Sequence, residues 1–488
     1  MTGTRPHLVV GLGVTGRAVA RALVAHGDAV ALADDRPGDA ARAVARELGA
    51  ALAEAPALDE LRALVRGAVA VLPAPGLPAH HPVFALAAEE GVPVLSEFDL
   101  AARWDDRPVL AVTGTDGKTT VTTLVRDMLQ ASGLAAVAVG NTEVPLVAAL
   151  DDPTVDVFVV EASSFRLDHS QRFAPRVGTW LNFAPDHLDS HPDLTAYEAA
   201  KARIWRDQAP DAVAVGNADD PVVARHLAAA PARRVAFGLE GGPGRPGPHG
   251  LEPDARVEDG VLVAPGGVEL LPVAELPRRF PHDIANGLAA AATALAGGAT
   301  PVAAAGVLRS FRGLPHRVAL VGEAGGVRYY DDSKATTPHA AVAGVSGFDS
   351  VVMISGGRDK GLDLRDLTRA GDRVRAVVAI GEAADKVADA FAGRRPVRRA
   401  GSMDEAVRVA TDLAEPGDAV VLAPGCASFD WYRSYGERGD DFARAVRELI
   451  GTDNGAEADD GAGDGGAHRS GAADGGGAAG VEAAGAGS

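Results

Sequence analysis

The chain has 488 residues, of which 47% are apolar and 23% are charged, so it can bury several hydrophobic cores. Its net charge of −19 argues against a protein that binds nucleic acid through clustered Lys and Arg. The single cysteine, Cys426, excludes an internal disulfide and a cysteine-rich metal site. The N-terminus lacks the apolar region of a signal peptide, and no apolar run reaches membrane-spanning length, so we expect a cytoplasmic protein without membrane insertion.

Apolar runs that end in Gly or an acid alternate with helix-patterned segments along the chain. This alternation is typical of an α/β fold, in which helices connect the strands of parallel sheets. We predict three such domains, at residues 1–107, 108–313 and 314–450. The segment 451–488 is nearly all Gly, Ala and acid, and we expect it to be a disordered tail because it has no apolar face to bury.

The first domain opens with a predicted strand, His7–Val10, and a glycine-rich turn, Gly11-Leu-Gly-Val-Thr-Gly16. We predict that the helix after the turn buries Val19, Leu23 and Val24, and that the next strand, Ala29–Ala33, ends at Asp34 and Asp35. This pattern is typical of dinucleotide-binding turns, where backbone N–H groups approach a diphosphate at a helix N-terminus. A nicotinamide cofactor, a UDP-sugar and a tight turn without a ligand all remain open, because each is compatible with the same glycines.

A more specific pattern opens the second domain, where the predicted strand Val109–Val112 leads into Thr113-Gly-Thr-Asp-Gly-Lys-Thr-Thr120. The helix that follows ends at Ser132-Gly133, and this strand–loop–helix context is the one that a phosphate loop requires, although the loop is two residues shorter than the standard spacing. Its amides can hold phosphates, Lys118 can offset their charge, and the Thr119 hydroxyl can bind Mg²⁺. Glu161 ends another apolar run and would supply a second oxygen ligand, so the pair favours ATP chemistry over hydride transfer.

In the third domain, apolar runs that lead into glycine-containing loops predict strands at Val351–Ile354, Ala376–Ile380 and Val420–Ala423. Within the second domain, the stretch GGPGRPGPHG at 241–250 must be a loop.

Several strings occur in an order that resembles the Mur ligase family, from about Leu8 to Ile450. They are GLGVTG, VTGTDGKTT, VEASSFRL, DHLDSHPDLTAYEAAKARIW, FPHDIANGLAA, FRGLPHR, DDSKATTP, SGGRDKG and PGCASFDWY. The resemblance implies a Rossmann-like N-terminal domain for a UDP-sugar, a central P-loop-type ATPase domain and a Rossmann-like C-terminal domain for an amino acid. It also implies that ATP phosphorylates a substrate carboxylate to an acyl phosphate, which an amine then attacks, with D-glutamate joined to UDP-N-acetylmuramoyl-L-alanine.

The resemblance assigns the ATP site and two Mg²⁺ ions to residues of the second and third domains. The ATP contacts implied are Gly114, Thr115, Asp116, Gly117, Lys118, Thr119, Thr120, Asn286, Arg317 and Asp332. Thr119, Glu161, His187 and a carbamylated Lys201 are implied as metal ligands, and Lys118, His187, Lys201 and Arg317 as the catalytic set. Relatives commonly carry Asn at the position of Asp283, and a carboxylate cannot donate a hydrogen bond to adenine as an amide can.

Substrate contacts are implied in two groups. The UDP-sugar side comprises Val14, Thr15, Asp34, Asp35, Arg36, Gly76, Asn141 and Ser163. The acceptor side comprises Lys334, Thr336, Lys360, Ser428 and Tyr435, and its lysines and hydroxyls suit an amino acid with two carboxylates. Relatives usually carry Thr at Asp35, Asn at Thr337 and Phe at Tyr435. We interpret Cys426, which neighbours this group, as structural because no base motif accompanies it.

Two alternatives accompany this interpretation. Another ligase of the same superfamily, such as a folylpolyglutamate synthase, would differ in the acceptor strings. A catalytically silent homologue would be expected to lose Lys118, Glu161 or Lys201, and all are present. We expect a monomer whose partners are small molecules.

Overall fold

The computed structural model describes residues 5–141, 144–186 and 190–456, and for 452–456 it describes the backbone alone. The first sheet is parallel, with strand order β3-β2-β1-β4. Its strands are β1 (His7–Val10), β2 (Val30–Asp34), β3 (Leu52–Glu54) and β4 (Val71–Pro73). The helices around it are α1 (Val14–Ala25), α2 (Asp39–Leu48), α3 (Leu58–Gly67), α4 (Pro82–Glu90) and α5 (Glu97–Trp104).

The predicted buried face of α1 is correct for Val19 and Leu23 and wrong for Val24, which is 38% exposed. Val24 lies five residues after Val19, which rotates it about 140° around a helix of 3.6 residues per turn. Gly16 and Ala20 complete the buried stripe instead. The strand predicted at Ala29–Ala33 is found one residue later, as β2 (Val30–Asp34).

The second sheet is also parallel, with strand order β10-β9-β8-β5-β7-β6. Its strands are β5 (Val109–Thr113), β6 (Ala136–Gly140), β7 (Val157–Glu161), β8 (Val177–Trp180), β9 (Val213–Asn217) and β10 (Arg233–Phe237). The helices are α6 (Lys118–Ala131), α7 (Leu146–Ala149), α8 (Ser164–Asp168), α9 (Leu194–Arg206) and α10 (Pro221–Ala228). The apolar stripe of α6, from Val121 to Leu129, is buried, so this helix was predicted correctly.

A small antiparallel sheet follows, which the sequence analysis did not predict. It contains β11 (Arg256–Glu258), β12 (Val261–Ala264) and β13 (Val268–Pro272), and it precedes α11 (Pro281–Ala296) and α12 (Pro301–Ser310). The stretch 241–250 lies outside the helices and strands, as predicted.

The last sheet, called the third sheet below because it is the third of the large sheets, has strand order β14-β15-β19-β16-β17-β18. Its edge strand β14 is antiparallel to β15. Its strands are β14 (Ala319–Ala324), β15 (Val327–Asp331), β16 (Val351–Gly356), β17 (Val374–Ile380), β18 (Val397–Ala400) and β19 (Ala419–Leu422). The helices are α13 (Pro338–Val345), α14 (Ala384–Phe391), α15 (Met403–Leu413) and α16 (Tyr435–Ala456). The fold is therefore α/β with parallel sheets, as the sequence predicts.

The predicted start of the tail at 451 is wrong, because α16 continues to Ala456. Ile450 packs against the core beneath β14, so the helix is anchored until just before its last turns. The remainder of the predicted tail, 457–488, lies outside the described residues. Among the described helices, none is long and apolar enough to cross a membrane.

Candidate functional site

The carboxyl ends of β5, β6, β7 and β8 meet at one edge of the second sheet. Val112 of β5 is paired with Glu161 of β7, and Thr113 with Trp180 of β8. The loop after β5 is therefore placed next to Glu161 on one side and next to the residues after Trp180 on the other. In parallel sheets, ligands bind in the crevice outside this edge.

The loop between β5 and α6 is held from behind by Asn182. Its side-chain oxygen accepts hydrogen bonds from the backbone N–H groups of Thr115 and Asp116, both at 2.9 Å. Gly117 has a φ of +84°, and a Cβ there would lie 2.6 Å from the Asn286 side-chain oxygen, so this position requires glycine. The sequence did not predict this role of Asn182; the available signal was a polar residue two positions after a buried strand.

Two lysines converge on this loop. The Lys118 ammonium donates to the carbonyl oxygens of Gly114 and Thr115, both at 2.8 Å, and Lys201 donates to the same Gly114 oxygen at 2.7 Å. Lys201 is 1% exposed, and its Nζ lies 4.6 Å from the centre of the Tyr197 ring. Burial, followed by the charge of Lys118, lowers the pKa of Lys201 well below its ordinary value. The structure thus disfavours a protonated amine at Lys201.

Glu161 is a buried carboxylate at the end of β7, with 3% of its surface exposed. The Asn141 amide donates to Glu161 Oε1 at 3.1 Å. Ser163 is buried two residues later, and its hydroxyl has no hydrogen-bond partner among the described residues. His187 lies outside the described residues, so its predicted role stays a prediction. Within the part of the chain that the structure describes, no group of three or more His, Cys, Asp and Glu side chains converges to hold a metal.

A cavity of about 600 Å³ lies between the phosphate loop, α11 and the third sheet. It brings together predicted ATP contacts that are far apart in sequence, namely Asp116, Gly117, Thr120, Asn286, Arg317 and Asp332. Asp283, where relatives commonly carry Asn, lines the same cavity. Its carboxylate accepts a hydrogen bond from Arg278 at 3.1 Å, so the acid has a partner within the protein. Burial raises the pKa of Asp332 well above its ordinary value.

Of the predicted acceptor residues, Lys334, Thr336, Lys360 and Ser428 lie on loops of the third sheet, and Tyr435 begins α16. The Lys334 Nζ is 3.7 Å from the centre of the Tyr435 ring, and burial, followed by the charge of Arg317, lowers the pKa of Lys334 to about 8. Lys360 donates to the carboxylate of Asp186, which belongs to the second domain, at 2.9 Å. Ser428 is buried, with 2% of its surface exposed. The Thr336 N–H donates to the Lys334 carbonyl oxygen at 2.8 Å, which keeps these residues in one turn.

Arg438 fixes these loops and was missed in the sequence. Its guanidinium is 1% exposed and donates to the Ser333 hydroxyl at 2.9 Å and to the Ser333, Cys426 and Ala427 carbonyl oxygens at 2.7, 3.2 and 3.1 Å. It thereby joins the loop of Lys334 to the loop of Ser428. Cys426 is buried, and burial raises the pKa of its thiol to about 12, which agrees with a structural role.

The carboxyl ends of β1, β2 and β4, and the residues just after them, hold the predicted UDP-sugar residues Val14, Thr15, Asp34, Asp35, Arg36 and Gly76. Asp34 accepts from the backbone N–H of Leu12 at 2.6 Å and of Arg36 at 2.8 Å, so it holds the glycine-rich turn in shape. A Cβ at Gly16 would overlap the Gly11 carbonyl oxygen, which explains why the turn needs glycine there. Asp35 lies 3.2 Å from the buried His81 ring.

These features define a nucleotide-binding α/β protein with a phosphate loop at the carboxyl edge of its second sheet. Residues 112–294 match the model of the Mur ligase middle domain, and residues 316–426 match that of the Mur ligase glutamate ligase domain. A UDP-N-acetylmuramoylalanine–D-glutamate ligase from Frankia casuarinae is 47% identical, over 91% of this chain and 94% of its own. One from Desulfosudis oleivorans is 40% identical, over 92% and 97%. The chain belongs to the Mur ligase family.

Among solved structures, a pseudomurein peptide ligase type C from Methanothermus fervidus has a TM-score of 0.56 at 19% identity. The match covers 91% of this chain and all of that one, so the two share a fold.

Proposed function

We propose that this protein joins D-glutamate to UDP-N-acetylmuramoyl-L-alanine at the expense of ATP. The identity of 47% to a ligase with this name, over nearly the full length of both chains, carries the proposal. In the proposed reaction, the alanyl carboxylate takes the terminal phosphoryl group of ATP, the glutamate amine attacks the acyl phosphate, and phosphate leaves. This assigns the protein to peptidoglycan precursor synthesis, and we expect it to act as a monomer in the cytoplasm.

The three large sheets, two parallel and one with a single antiparallel edge strand, support the proposed assignment of a different substrate to each of the domains at 1–107, 108–313 and 314–450. The carboxyl ends of the first sheet would bind the UDP-sugar through Val14, Thr15, Asp34, Asp35, Arg36 and Gly76, with Asn141 and Ser163 contributed by the second. The buried Ser163 hydroxyl, which has no hydrogen-bond partner among the described residues, is consistent with a ligand there, because a buried hydroxyl without a partner is destabilising.

ATP would occupy the 600 Å³ cavity and the phosphate loop. The amides of residues 114–120 and Lys118 would hold the phosphates, and Asn286 would contact adenine from α11. Lys118 now donates to loop carbonyl oxygens, so it would exchange these bonds for phosphate oxygens. Arg317 and Asp332 would contact the nucleotide from the third sheet, and Arg317 would place a permanent charge near the transferring group.

The donors near the phosphate loop fit Mg²⁺, a hard cation that prefers oxygen ligands. Glu161 offers a buried carboxylate and Thr119 a hydroxyl, and we propose His187 and Lys201 for a second ion. Bound Mg²⁺ would offset the charge of the phosphates. Lys201 would serve as a carbamate, an anionic oxygen ligand, and its buried, deprotonation-favouring position supports the neutral amine that carbamylation needs.

The acceptor would be held by Lys334, Thr336, Lys360, Ser428 and Tyr435. Lys334 lines the 600 Å³ cavity, and Lys360 donates to Asp186. A pair of lysines suits the two carboxylates of glutamate. In this arrangement Lys360 would release Asp186 when glutamate binds.

Phosphate release tests the proposal directly. With ATP, Mg²⁺ and UDP-N-acetylmuramoyl-L-alanine, D-glutamate should start phosphate release, whereas L-glutamate, glycine and meso-diaminopimelate should not. Lys118→Ala should abolish the release, and Lys386→Ala, which changes an exposed lysine paired with Asp359, should not. Release with another amino acid instead of D-glutamate would contradict the proposal.

A further inference from the structure

A buried ion pair joins α5, the last helix of the first domain, to α8 beside the second sheet. Arg166 lies on α8, at the carboxyl edge of the second sheet, and pairs with Glu97, the first residue of α5. The two side chains are 6% and 1% exposed. Burying a cation costs free energy unless an anion compensates its charge, so each of these two buried charges compensates the other.

The same guanidinium also reaches Thr15, 151 residues earlier in the chain. Arg166 NH2 donates to the Thr15 hydroxyl oxygen at 2.9 Å. A hydroxyl has one proton and accepts through its lone pairs, so a hydroxyl that accepts from a cation keeps its own proton for another acceptor. Thr15 belongs to the first turn of α1, where backbone N–H groups already favour an anion.

The junction that carries Glu97 is fixed by further contacts. Asp99 accepts from the backbone N–H groups of Gln171 and Arg172 at 2.7 and 2.8 Å, and Phe98 stacks on Phe173 with ring centres 4.5 Å apart. Because α5 is anchored to the segment after α8, Glu97 can hold the Arg166 guanidinium in one orientation.

We propose that Arg166 is a positioning residue for the UDP-sugar: fixed by Glu97, it orients the Thr15 hydroxyl as a donor toward the substrate diphosphate. Arg166 acts through Thr15. The inference rests on the proposed function, and it adds a residue whose loss should weaken binding of the sugar nucleotide while leaving ATP binding unchanged.

The test uses steady-state kinetics of the full chain. Arg166→Met should raise KM for UDP-N-acetylmuramoyl-L-alanine about tenfold, the lower range for losing a hydrogen bond to a charged group, with kcat and KM for ATP near the parent values. Thr15→Val in the Arg166→Met background should add nothing further, because the two residues act in one chain of contacts. The matched control is Arg375→Met, which removes an ion pair to Asp418 on the third sheet and should leave this KM unchanged.

A second variant separates positioning from folding. Arg166→Met leaves Glu97 buried without its cation, so its melting temperature should fall; adding Glu97→Gln should restore much of the stability, since both buried charges are then gone. The raised KM should persist in that double variant. A parent-like KM in the folded double variant would overturn the inference alone, whereas a parent enzyme that does not use this substrate would overturn the proposed function as well.

Discussion

Lys201 donates to the carbonyl oxygen of Gly114 at 2.7 Å, which ties α9 to the first residue of the phosphate loop. Lys118 donates to that oxygen as well, so two amines share one neutral acceptor in a buried setting. Burial is the larger cause of the lowered pKa of Lys201 and the charge of Lys118 is the second, so the site favours a neutral amine before any metal binds.

Lys201→Ala should lower turnover by at least about a hundredfold, since even residues that only support a metal ligand are worth 10–100-fold. ATP binding, followed by calorimetry, should survive because the loop and Lys118 remain. Acetate or formate at high concentration should restore part of the rate by supplying the missing anion. Full activity of the variant would contradict the proposed carbamate, and a failure of every small carboxylate would leave it unsupported.

The free energy of unfolding should depend on pH because the Lys201 amine is buried in the folded protein. Its folded-state pKa is lowered, while in the unfolded chain it is about 10.4, so unfolding takes up a proton between these values and stability rises with pH across that window. Lys201→Met removes this contribution. In CO₂-free buffer, the melting temperature of Lys201→Met should exceed that of the parent at pH 7, and the gap should close toward pH 10. A constant gap would show that Lys201 is not perturbed.

Lys360→Ala should raise KM for D-glutamate by about tenfold or more, which corresponds to about 1.5–3 kcal/mol for a hydrogen bond to a charged group. Ser428→Ala should act in the same direction. KM for ATP should not change with either substitution. Lys386→Ala is the matched control, because Lys386 pairs with Asp359, the neighbour of Lys360, yet its side chain is 67% exposed. An unchanged glutamate KM would remove the substituted residue from the acceptor site.

Removal of 457–488 should change neither the turnover nor the melting temperature, because this segment is Gly-, Ala- and acid-rich with no apolar stripe. Truncation at 451, the predicted start of the tail, is less suitable, because it would also remove the last six residues of α16. Thermal melts and phosphate release should be measured for both truncations, to separate the effect of losing the tail from the effect of shortening α16. A loss of stability in the 457–488 deletion would show that the tail packs on the folded part.

The phosphate loop, its helix and the strand that ends at Glu161 were predictable because a buried strand, a glycine turn and an amphipathic helix each leave a local pattern. Asn182, Arg438 and the Arg166–Glu97 pair were not predictable in this way. Their roles arise from contacts between segments distant in sequence, and a polar residue beside a strand or within a helix has many possible partners. The antiparallel strands β11–β14 were missed because a strand of three to six residues is too short to show a clear periodicity.

The isotope content of the released phosphate tests the central claim most directly. UDP-N-acetylmuramoyl-L-alanine labelled with ¹⁸O in both carboxylate oxygens should be incubated with ATP, Mg²⁺ and D-glutamate, and the phosphate analysed by mass spectrometry. An acyl phosphate retains one carboxylate oxygen in the bond to phosphorus, so each phosphate should carry one ¹⁸O and the amide should keep the other. Unlabelled phosphate would mean that ATP hydrolysis is not coupled to carboxylate activation, and label in AMP would mean that the carboxylate is adenylated instead.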